Sequence, residues 1–379
     1  PMPPTPPTNR NPRDRAWVEV HTPAIRRNLE RVRAAVGGTA GIIPMVKADG
    51  YGLGVRRVVA ALGPARPFGY GVATVAEGLE LRRIGVHEPV MLYSPVLPGE
   101  LRGAVRGGLI PSISDLAGLA ALRRLAGESV AAAPIPFQIE VDTGMGRAGF
   151  GLQQPGWWSE VRRACGRGLR LFGVFTHLHS ADQADPGPAR RQIERFDRFV
   201  EGAGGIPADA LLHCANSAGA LRLGSRTANA VRPGIYLYGA PVCDADPPPD
   251  PVASVRARVV LARDVPAGAT LGYGATYRSR EPERWATAAI GYGDGLPRVL
   301  GNRGCAIAGG ERVPIVGRIS MDTTVLRTGS HVGAGDVVTF VGRDSEAEVP
   351  LEAVAELAGT IPYEILTGLT PRLPRINTG

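Results

Sequence analysis

The chain has 379 residues, 44% of them hydrophobic and 21% charged, a composition typical of a globular protein large enough for two domains. Its net charge of +8 comes from arginines dispersed over amphipathic segments, without a basic block among aromatic residues, which argues against a nucleic-acid partner. No stretch approaches the roughly 18 uninterrupted apolar residues of a membrane span, so no membrane partner is expected.

The first 15 residues are rich in proline and polar side chains and lack the apolar segment of a signal peptide. We therefore expect a disordered tail over residues 1–15. The cysteines are widely spaced and show no metal-binding pattern: they are Cys165, Cys214, Cys243 and Cys305. This usage favours reduced thiols in a cytoplasmic protein.

Short β-rich segments alternate with amphipathic helical segments over residues 16–243. The eight predicted strands lie, in chain order, in GIIPMVKAD, FGYGVATV, PVMLYS, LIPSIS, PFQIEVDTG, LFGVFTHLHS, ALLHCANSAG and VRPGIYLYG. This alternation and this count are those of a (β/α)8 barrel. A doubly wound sheet is the alternative, but its dinucleotide fingerprint is missing, because Gly52 and Gly54 are followed by Arg57 where the third glycine belongs.

After the linker CDADPPPDPV the pattern changes to β segments without long helices. Residues 250–379 are predicted to form a mainly antiparallel β domain, with one helix, LEAVAELAG, before the end. The first strand of the chain, AWVEVH, precedes the first barrel helix and could join this second domain. The predicted fold class is therefore α/β, a (β/α)8 barrel followed by a mainly antiparallel β domain.

Lys47 is the only lysine among the 43 lysine and arginine residues. It ends an apolar segment, at the carboxyl end of a predicted barrel strand, where barrel enzymes place their chemistry. An amine there can lose its proton and attack a carbonyl, whereas a guanidinium stays charged. Its natural use is imine formation with an aldehyde cofactor, most commonly pyridoxal 5'-phosphate (PLP). A surface lysine at a strand end is the alternative.

Eight motifs follow one another along the chain: MVKADGYGLG, VDTGMGRAGF, GVFTHLHSAD, HCANSAG, VRPGIYLYG, LGYGATY, AIGYGDGLPR and VPIVGRISMD. Together they resemble the motifs of the alanine racemase family, PLP enzymes that combine a barrel with a β domain. The similarity extends from residue 16 to the C-terminus, and the ordered set is far more specific than any single motif. It implies a homodimer with shared active sites that interconverts L- and D-alanine, a reaction that supplies D-alanine for peptidoglycan.

Racemisation needs two acid–base groups, one on each face of the substrate's Cα. The resemblance implies Lys47 on one face and Tyr273 of the neighbouring subunit on the other. A tyrosine with an ordinary pKa near 10 needs a cationic, hydrogen-bonded setting to act as a base at neutral pH. His177 and Arg232 resemble the network that provides this setting.

The resemblance also implies the contacts to cofactor and substrate. Arg232 resembles the arginine that faces the pyridine nitrogen, and because it cannot accept a proton that nitrogen stays neutral. The residues that resemble phosphate contacts are Tyr51, Ser217, Gly234 and Ile235. Those that resemble substrate contacts are Arg147 and Met321 at the carboxylate and Tyr292 in the entry channel. Asp322, next to Met321, is expected to be structural.

Four positions depart from the family pattern. Glu140 stands where many members have a carbamylated lysine that braces the arginine of GMGR, and a glutamate can supply that anion without modification. Leu53 stands where histidine is frequent, and Ser320 where cysteine is frequent. The family's C-terminal tyrosine, which reaches the phosphate and narrows the pocket, aligns near Pro371, which would widen the pocket.

Three other functions are compatible with parts of the sequence. His177, His179 and Asp182 at a strand end suggest a metal-dependent barrel hydrolase, but this leaves Lys47 and Tyr273 unexplained. A non-catalytic PLP carrier would explain Lys47 but resembles a barrel without the β domain. PLP-dependent decarboxylases resemble this layout but tend to hold phosphate with a Gly-Gly-Gly loop, which is missing here. Among racemases, serine or a broader set of amino acids is the alternative substrate.

Overall fold

The computed structural model describes residues 14–38, 40–128, 134–166, 168–225, 228–242 and 248–379. Its first part alternates strands and helices. The strands are β1 (Ala16–His21), β2 (Gly41–Ile42), β3 (Tyr70–Val72), β4 (Val90–Leu92), β5 (Ser112–Ile113), β6 (Ile135–Asp142), β7 (Phe150–Gly151), β8 (Leu169–Phe175), β9 (Leu211–His213) and β10 (Ala230–Val231). The helices are α1 (Thr22–Ala35), α2 (Lys47–Tyr51), α3 (Val55–Leu62), α4 (Val75–Arg83), α5 (Pro98–Arg106), α6 (Leu116–Gly127), α7 (Trp157–Ala164), α8 (Gly187–Ala203) and α9 (Ser217–Arg222).

Eight of these strands, all except β1 and β7, form a closed parallel barrel. Hydrogen-bonded neighbours follow the order β2–β10–β9–β8–β6–β5, and β3 pairs with β4. Bridges between Met45 and Gly71 and between Met91 and Ile110 connect these two groups. Because all eight strands run in the same direction, the segments that follow their carboxyl ends meet at one rim of the barrel.

The apolar sequence of the strands explains their place in the interior. Every residue of β3 and β4 is buried, as expected for strands covered on both faces. The surrounding helices bury a single stripe, which in α1 consists of residues three and four apart such as Ile25, Leu29 and Val32. α4 begins at a capping box, in which the Thr74 side chain accepts a hydrogen bond from the backbone N–H of Glu77.

The second part is a β domain. Its strands are β11 (Ala253–Val265), β12 (Thr270–Leu271), β13 (Tyr277–Arg278), β14 (Glu283–Ala288), β15 (Cys305–Ala308), β16 (Glu311–Val316), β17 (Thr324–Thr328), β18 (Val337–Asp344), β19 (Ala347–Val349) and β20 (Arg375–Thr378), and its helices are α10 (Leu351–Ala358) and α11 (Pro362–Gly368). Nine strands form one sheet in the order β19–β18–β15–β16–β17–β14–β11–β1–β20. A further pairing of β11 with β18 closes this sheet on itself.

β1 connects the two parts of the molecule. Val18 lies between β11 and β20, opposite Val255 on one side and Arg375 on the other. The neighbouring Glu19 carboxylate accepts a hydrogen bond from Arg256 Nε at 2.8 Å. The first described strand therefore belongs to the β domain, and the chain enters the barrel with α1.

The predicted fold class is confirmed, including the place of AWVEVH in the β domain. The eight strand segments form the barrel strands, and LEAVAELAG forms α10. The expectation of a single helix near the end is wrong, because α11 follows α10 after three residues. The short strands β12, β13, β19 and β20 were also not predicted; segments of two to four residues are too short to show a hydrophobic period.

The domain boundaries, 16–243 and 250–379, remain predictions. The expected tail lies outside the described residues except for Asp14 and Arg15, and the Arg15 guanidinium lies 2.5 Å from Oδ1 of the buried Asp294. Cys243 is also outside the described residues, whereas the other three cysteines are free thiols. None of the described helices combines the length and apolar character needed to cross a membrane.

We expect Val18→Ala to lower the free energy of unfolding by about 2 kcal/mol, because it leaves a cavity in the core against the face of β1. Urea titration of the purified protein measures this change. Leu357→Ala on the exposed face of α10 is the control, with an expected change below about 0.5 kcal/mol. Equal effects of the two substitutions would contradict this role of β1.

Candidate active site

Lys47 is the first residue of α2, which is a single short turn with left-handed backbone. The four following residues, Ala48–Tyr51, all have φ between 52° and 63°. Left-handed backbone costs roughly 1–2 kcal/mol for each residue other than glycine, so contacts elsewhere must hold this turn. One is made by α11, which approaches so closely that a Cβ on Gly52 would lie 2.3 Å from the carbonyl oxygen of Leu366.

The surroundings of Lys47 favour its neutral amine. Burial lowers the pKa of Lys47 from its usual 10.5, and the positive charges of Arg147 and Arg232 lower it further, while Glu77 acts in the opposite direction. A lysine with a lowered pKa has a larger neutral, nucleophilic fraction near pH 7. The physical conditions for covalent chemistry at Lys47 are therefore present in the protein alone.

Lys47 lines a cavity of about 270 Å³ at the carboxyl rim of the barrel. Most of the site residues predicted in the barrel line the same cavity: Lys47, Tyr51, Arg147, His177, Ser217, Arg232 and Gly234. They follow β2, β6, β8, β9 and β10, so the barrel topology alone brings them together. Ile235, also predicted, is buried directly after Gly234.

Arg232 is almost completely buried, and backbone carbonyls hold its guanidinium. Nη2 donates to the Thr176 carbonyl at 2.7 Å, and Nη1 donates to the His213 carbonyl at 3.1 Å. The guanidinium also lies over the rings of Tyr93 and Phe175, with Cζ 5.3 and 5.2 Å from their centroids. Because these partners are neutral, none of them cancels the positive charge of Arg232, whereas the Glu140 carboxylate interacts with that charge electrostatically.

Two imidazoles complete the surroundings of Arg232. His213 Nδ1 lies 2.5 Å from Nη1, and His177 Nδ1 lies 3.3 Å from Nη2. A guanidinium only donates, so both Nδ1 atoms accept and both rings carry their proton on Nε2. Burial, followed by the charges of Arg232, Arg147 and Lys47, lowers the pKa of His177 to about 3. His177 is therefore a neutral ring that offers an Nε2–H donor.

Polar groups suited to a phosphate gather around the hydroxyl of Tyr51. The Ser217 hydroxyl accepts a hydrogen bond from the Gly234 backbone N–H at 2.8 Å. A Cβ on Gly234 would lie 2.5 Å from the Tyr51 hydroxyl, so glycine lets the phenol approach the backbone. The Tyr51 ring stacks on Tyr238 at 4.3 Å, and Tyr238 in turn donates to the Met45 carbonyl. At this end of the cavity, the hydroxyls of Ser217 and Tyr51 therefore both lie next to the backbone of Gly234.

Arg147 and Glu140 are electrostatically coupled across the cavity wall. Glu140 is buried on β6, and Ser114 Oγ lies 3.5 Å from its Oε2. Burial raises the pKa of Glu140, whereas the charges of Arg147 and Arg232 lower it. Burial has the larger effect, so the pKa of Glu140 is raised overall, and the bracing of Arg147 by Glu140 stays a prediction.

The three site residues predicted in the β domain lie outside this cavity. Tyr273, Met321 and Tyr292 are 70%, 52% and 41% exposed, respectively. Tyr273 and Tyr292 lie in short 3-10 turns, and Met321 follows β16. Within one chain, therefore, Lys47 and Tyr273 are not brought together. Asp322 is also exposed and accepts a hydrogen bond from Arg372 at 2.6 Å.

Sequence reasoning missed several residues of the cavity. α11 carries Tyr363 to its wall, where the ring lies 5.9 Å from that of Tyr51. Burial, and then the charge of Asp182, raise the pKa of Tyr363 to about 12, so it remains a neutral phenol. Pro371, where the family's C-terminal tyrosine was expected, is exposed. The signal available in the sequence was IPYEIL, an apolar segment with a single charged residue, which is too short to identify a helix.

The metal-dependent hydrolase has no support in the site. His177 faces the cation of Arg232, and His179 is exposed. Within the described ranges, no three His, Cys, Asp or Glu side chains lie together in a way that could hold a metal ion. Positive groups dominate this rim of the barrel, which favours an anionic ligand.

The donor set fits PLP. The cavity offers an amine with a lowered pKa, a buried arginine held by backbone carbonyls, and the hydroxyls of Tyr51 and Ser217 next to the backbone of Gly234. A (β/α)8 barrel with this set at its carboxyl rim, followed by a β domain, defines a PLP-dependent enzyme of the barrel class. The chain belongs to the alanine racemase family: the family models for the N-terminal and C-terminal domains of alanine racemase match residues 20–241 and 252–377.

Individual relatives agree with this assignment. The alanine racemase of Desulfosudis oleivorans is 34% identical over 377 residues, which cover 95% of this chain and 96% of that protein. The structure of the enzyme from Streptomyces coelicolor superposes with a TM-score of 0.89 at 30% identity, covering 97% and 99% of the two chains. The structure from Bartonella henselae, with covalently bound pyridoxal phosphate, has a TM-score of 0.85 at 29% identity, covering 96% and 99%.

We expect Lys47 to titrate below its usual pKa of 10.5. Arg147→Gln should raise the pKa of Lys47 above that of the wild-type protein, because the substitution removes a nearby cation. Reductive methylation of the cofactor-free protein with 13C-formaldehyde gives a single lysine NMR signal, which Lys47→Arg eliminates. The exposed Arg83→Gln is the control and should leave the titration unchanged. A Lys47 titration at the usual pKa would contradict the account of this cavity.

Proposed function

We propose that the protein interconverts L- and D-alanine with PLP as cofactor, and that Lys47 of one copy and Tyr273 of a second copy move the α-proton. The observation that carries this proposal is Lys47 itself. It is the only lysine of the chain, and its pKa is lowered in a cavity lined by predicted cofactor contacts. Membership of the alanine racemase family supports the substrate and the cofactor.

The barrel residues would hold the cofactor from three sides. Lys47 would bind it covalently through Nζ, while Tyr51, Ser217 and the backbone of Gly234 and Ile235 would bind the phosphate. Arg232 would face the ring nitrogen and, as a group that only donates, would keep that nitrogen unprotonated. When bound, PLP withdraws electrons from the substrate's Cα and so acidifies the α-proton.

The two faces of Cα need different groups. Lys47 Nζ, with its lowered pKa, would take or return the proton on one face. Tyr273 is 70% exposed on its own chain and lies outside that chain's cavity. It can serve the other face only if the β domain of a second copy covers the rim of the barrel. We therefore propose a homodimer with two shared sites.

His177 would adjust the phenol of Tyr273 to this task. Its Nδ1 accepts from Arg232, so its Nε2–H is available as a donor. A donor of this kind, next to the charge of Arg232, would stabilise the phenolate form of the incoming tyrosine. Because His177 has a pKa of about 3, it stays neutral and does not compete as a base at working pH.

The remaining residues would position the substrate. Arg147 and the backbone N–H of Met321 from the second copy would bind the carboxylate, and Tyr292 of that copy would narrow the entrance. Tyr363 lines the cavity of its own chain and restricts its size. The small cavity supports alanine as the substrate. Serine or a broader set of amino acids stays the alternative, because Pro371 stands where the tyrosine that narrows the pocket was expected.

The direct test of the reaction is α-proton exchange in D2O with a panel of L- and D-amino acids. We expect deuterium incorporation from both enantiomers of alanine, followed by NMR, with other amino acids at least about tenfold slower. Faster exchange with serine would contradict the substrate, and absence of exchange with all amino acids would contradict the reaction.

Lys47→Arg replaces the amine with a guanidinium that stays charged and is not nucleophilic, so we expect turnover to fall on the order of a thousandfold or more. Borohydride treatment of the wild-type protein should fix PLP to a Lys47 peptide, detected by mass spectrometry. The exposed Arg83→Lys variant is a useful control, because its new lysine should remain unlabelled. Retained turnover in Lys47→Arg would contradict the proposal.

Glu140→Gln should raise KM for alanine and lower kcat/KM about tenfold, or roughly 1.4 kcal/mol, because Arg147 loses the anion that braces it. Steady-state kinetics measure both values. Glu160→Gln, which removes a half-buried carboxylate paired with Arg163 outside the cavity, is the control and should match wild type. Unchanged KM and kcat in Glu140→Gln would contradict the bracing of Arg147.

A further inference from the structure

The carboxylate of Glu77 connects two βα units next to Lys47. Its Oε1 accepts the backbone N–H of Ala48 at 2.7 Å. Its Oε2 accepts the N–H groups of Ala73 at 2.8 Å and Thr74 at 3.1 Å, at the start of α4. One half-buried side chain thus binds both the turn that follows β2 and the first turn of the next helix.

The turn that Glu77 holds is strained and therefore depends on outside contacts. Ala48, bonded to Glu77, is the first of the four left-handed residues and directly follows Lys47. Within the turn, Asp49 Oδ1 accepts the Val55 N–H at 2.7 Å, which fixes its distal side. Strained backbone persists where surrounding groups over-determine it. Glu77 supplies that constraint on the side of Lys47.

The charges around Lys47 give Glu77 a second effect. Arg147, on the loop after β6, and Arg232, after β10, both lower the pKa of Lys47. Glu77, on α4, raises it. Glu77 thus opposes two cations that face Lys47 from other elements, and it does so from a position fixed by three hydrogen bonds.

We propose that Glu77 is a positioning residue for Lys47: its carboxylate, bonded to the Ala48 N–H, holds the left-handed turn in the geometry that directs Nζ into the cavity. This rests on the proposed role of Lys47 as the residue that binds PLP. Glu77 itself is not among the residues that line the cavity, so it acts through the turn.

Glu77→Gln is the principal variant. A glutamine has a single acceptor oxygen, so it cannot serve both Ala48 and the pair Ala73 and Thr74. Loss of a charge-assisted hydrogen bond should weaken PLP binding about tenfold or more, measured by absorbance titration of the cofactor-free protein. Glu77→Asp keeps both oxygens but is one methylene shorter, and should weaken binding in the same direction.

Thr74→Ala is the matched control for a purely structural role. It removes the hydroxyl that accepts the Glu77 N–H at 3.2 Å and so weakens the start of α4, but leaves the bond to Ala48 intact. We expect its PLP affinity to stay within about twofold of wild type. In the NMR titration of 13C-methylated, cofactor-free protein, Glu77→Gln should lower the pKa of Lys47, and Thr74→Ala should leave it unchanged.

The outcomes are distinguishable. Weaker PLP binding in the Glu77 variants than in Thr74→Ala supports the proposal. Equal binding in all of them, or an equal loss in Glu77→Gln and Thr74→Ala, would overturn it. An unshifted Lys47 titration in Glu77→Gln would overturn it as well, because the Glu77 carboxylate would then not lie close enough to Lys47 to act on it. Failure of the wild-type protein to bind PLP through Lys47 would instead contradict the proposed function.

Discussion

A buried arginine without a charged hydrogen-bond partner determines the chemistry of this site. The guanidinium of Arg232 is held by backbone carbonyls and by the Nδ1 atoms of two imidazoles, and it lies over two aromatic rings. Neutral partners fix its position but do not cancel its charge. Burial lowers the pKa of both His177 and Lys47, and the charges of Arg232 and Arg147 lower both values further. Both groups are thereby shifted towards their neutral forms. The barrel makes the burial of Arg232 possible, because its neighbouring strands end at one rim. There the guanidinium donates hydrogen bonds to the backbone carbonyls of Thr176, His213 and Cys214.

Much of this arrangement could be predicted from the sequence. The barrel strands are buried on both faces, so they form apolar segments that can be counted, and residues after their carboxyl ends must share a rim. The resemblance to the alanine racemase family adds His177, Ser217 and Arg232 to Lys47 at this rim. The chemistry of Lys47 was also accessible, because a single lysine in an arginine-rich chain indicates a need for an amine.

The rest depends on tertiary contacts that leave little trace in a sequence. The left-handed turn contains Ala48, Asp49 and Tyr51, residues that rarely adopt positive φ on their own. Its conformation follows from Glu77 in the next βα unit and from the backbone of α11, more than 300 residues away in the chain. Tyr363 reaches the cavity on the same helix, whose seven residues are too few to show a helical period. The neutral tautomers of His177 and His213 likewise follow only from the position of Arg232.

The central claim is that each active site combines Lys47 of one copy with Tyr273 of another. The most direct measurement mixes two inactive variants, Lys47→Arg and Tyr273→Phe, and follows alanine racemisation after subunit exchange. Random exchange would give half mixed dimers with one complete site in each, so the account predicts recovery of about a quarter of wild-type activity. Activity that stays at the level of the separate variants would contradict the shared site.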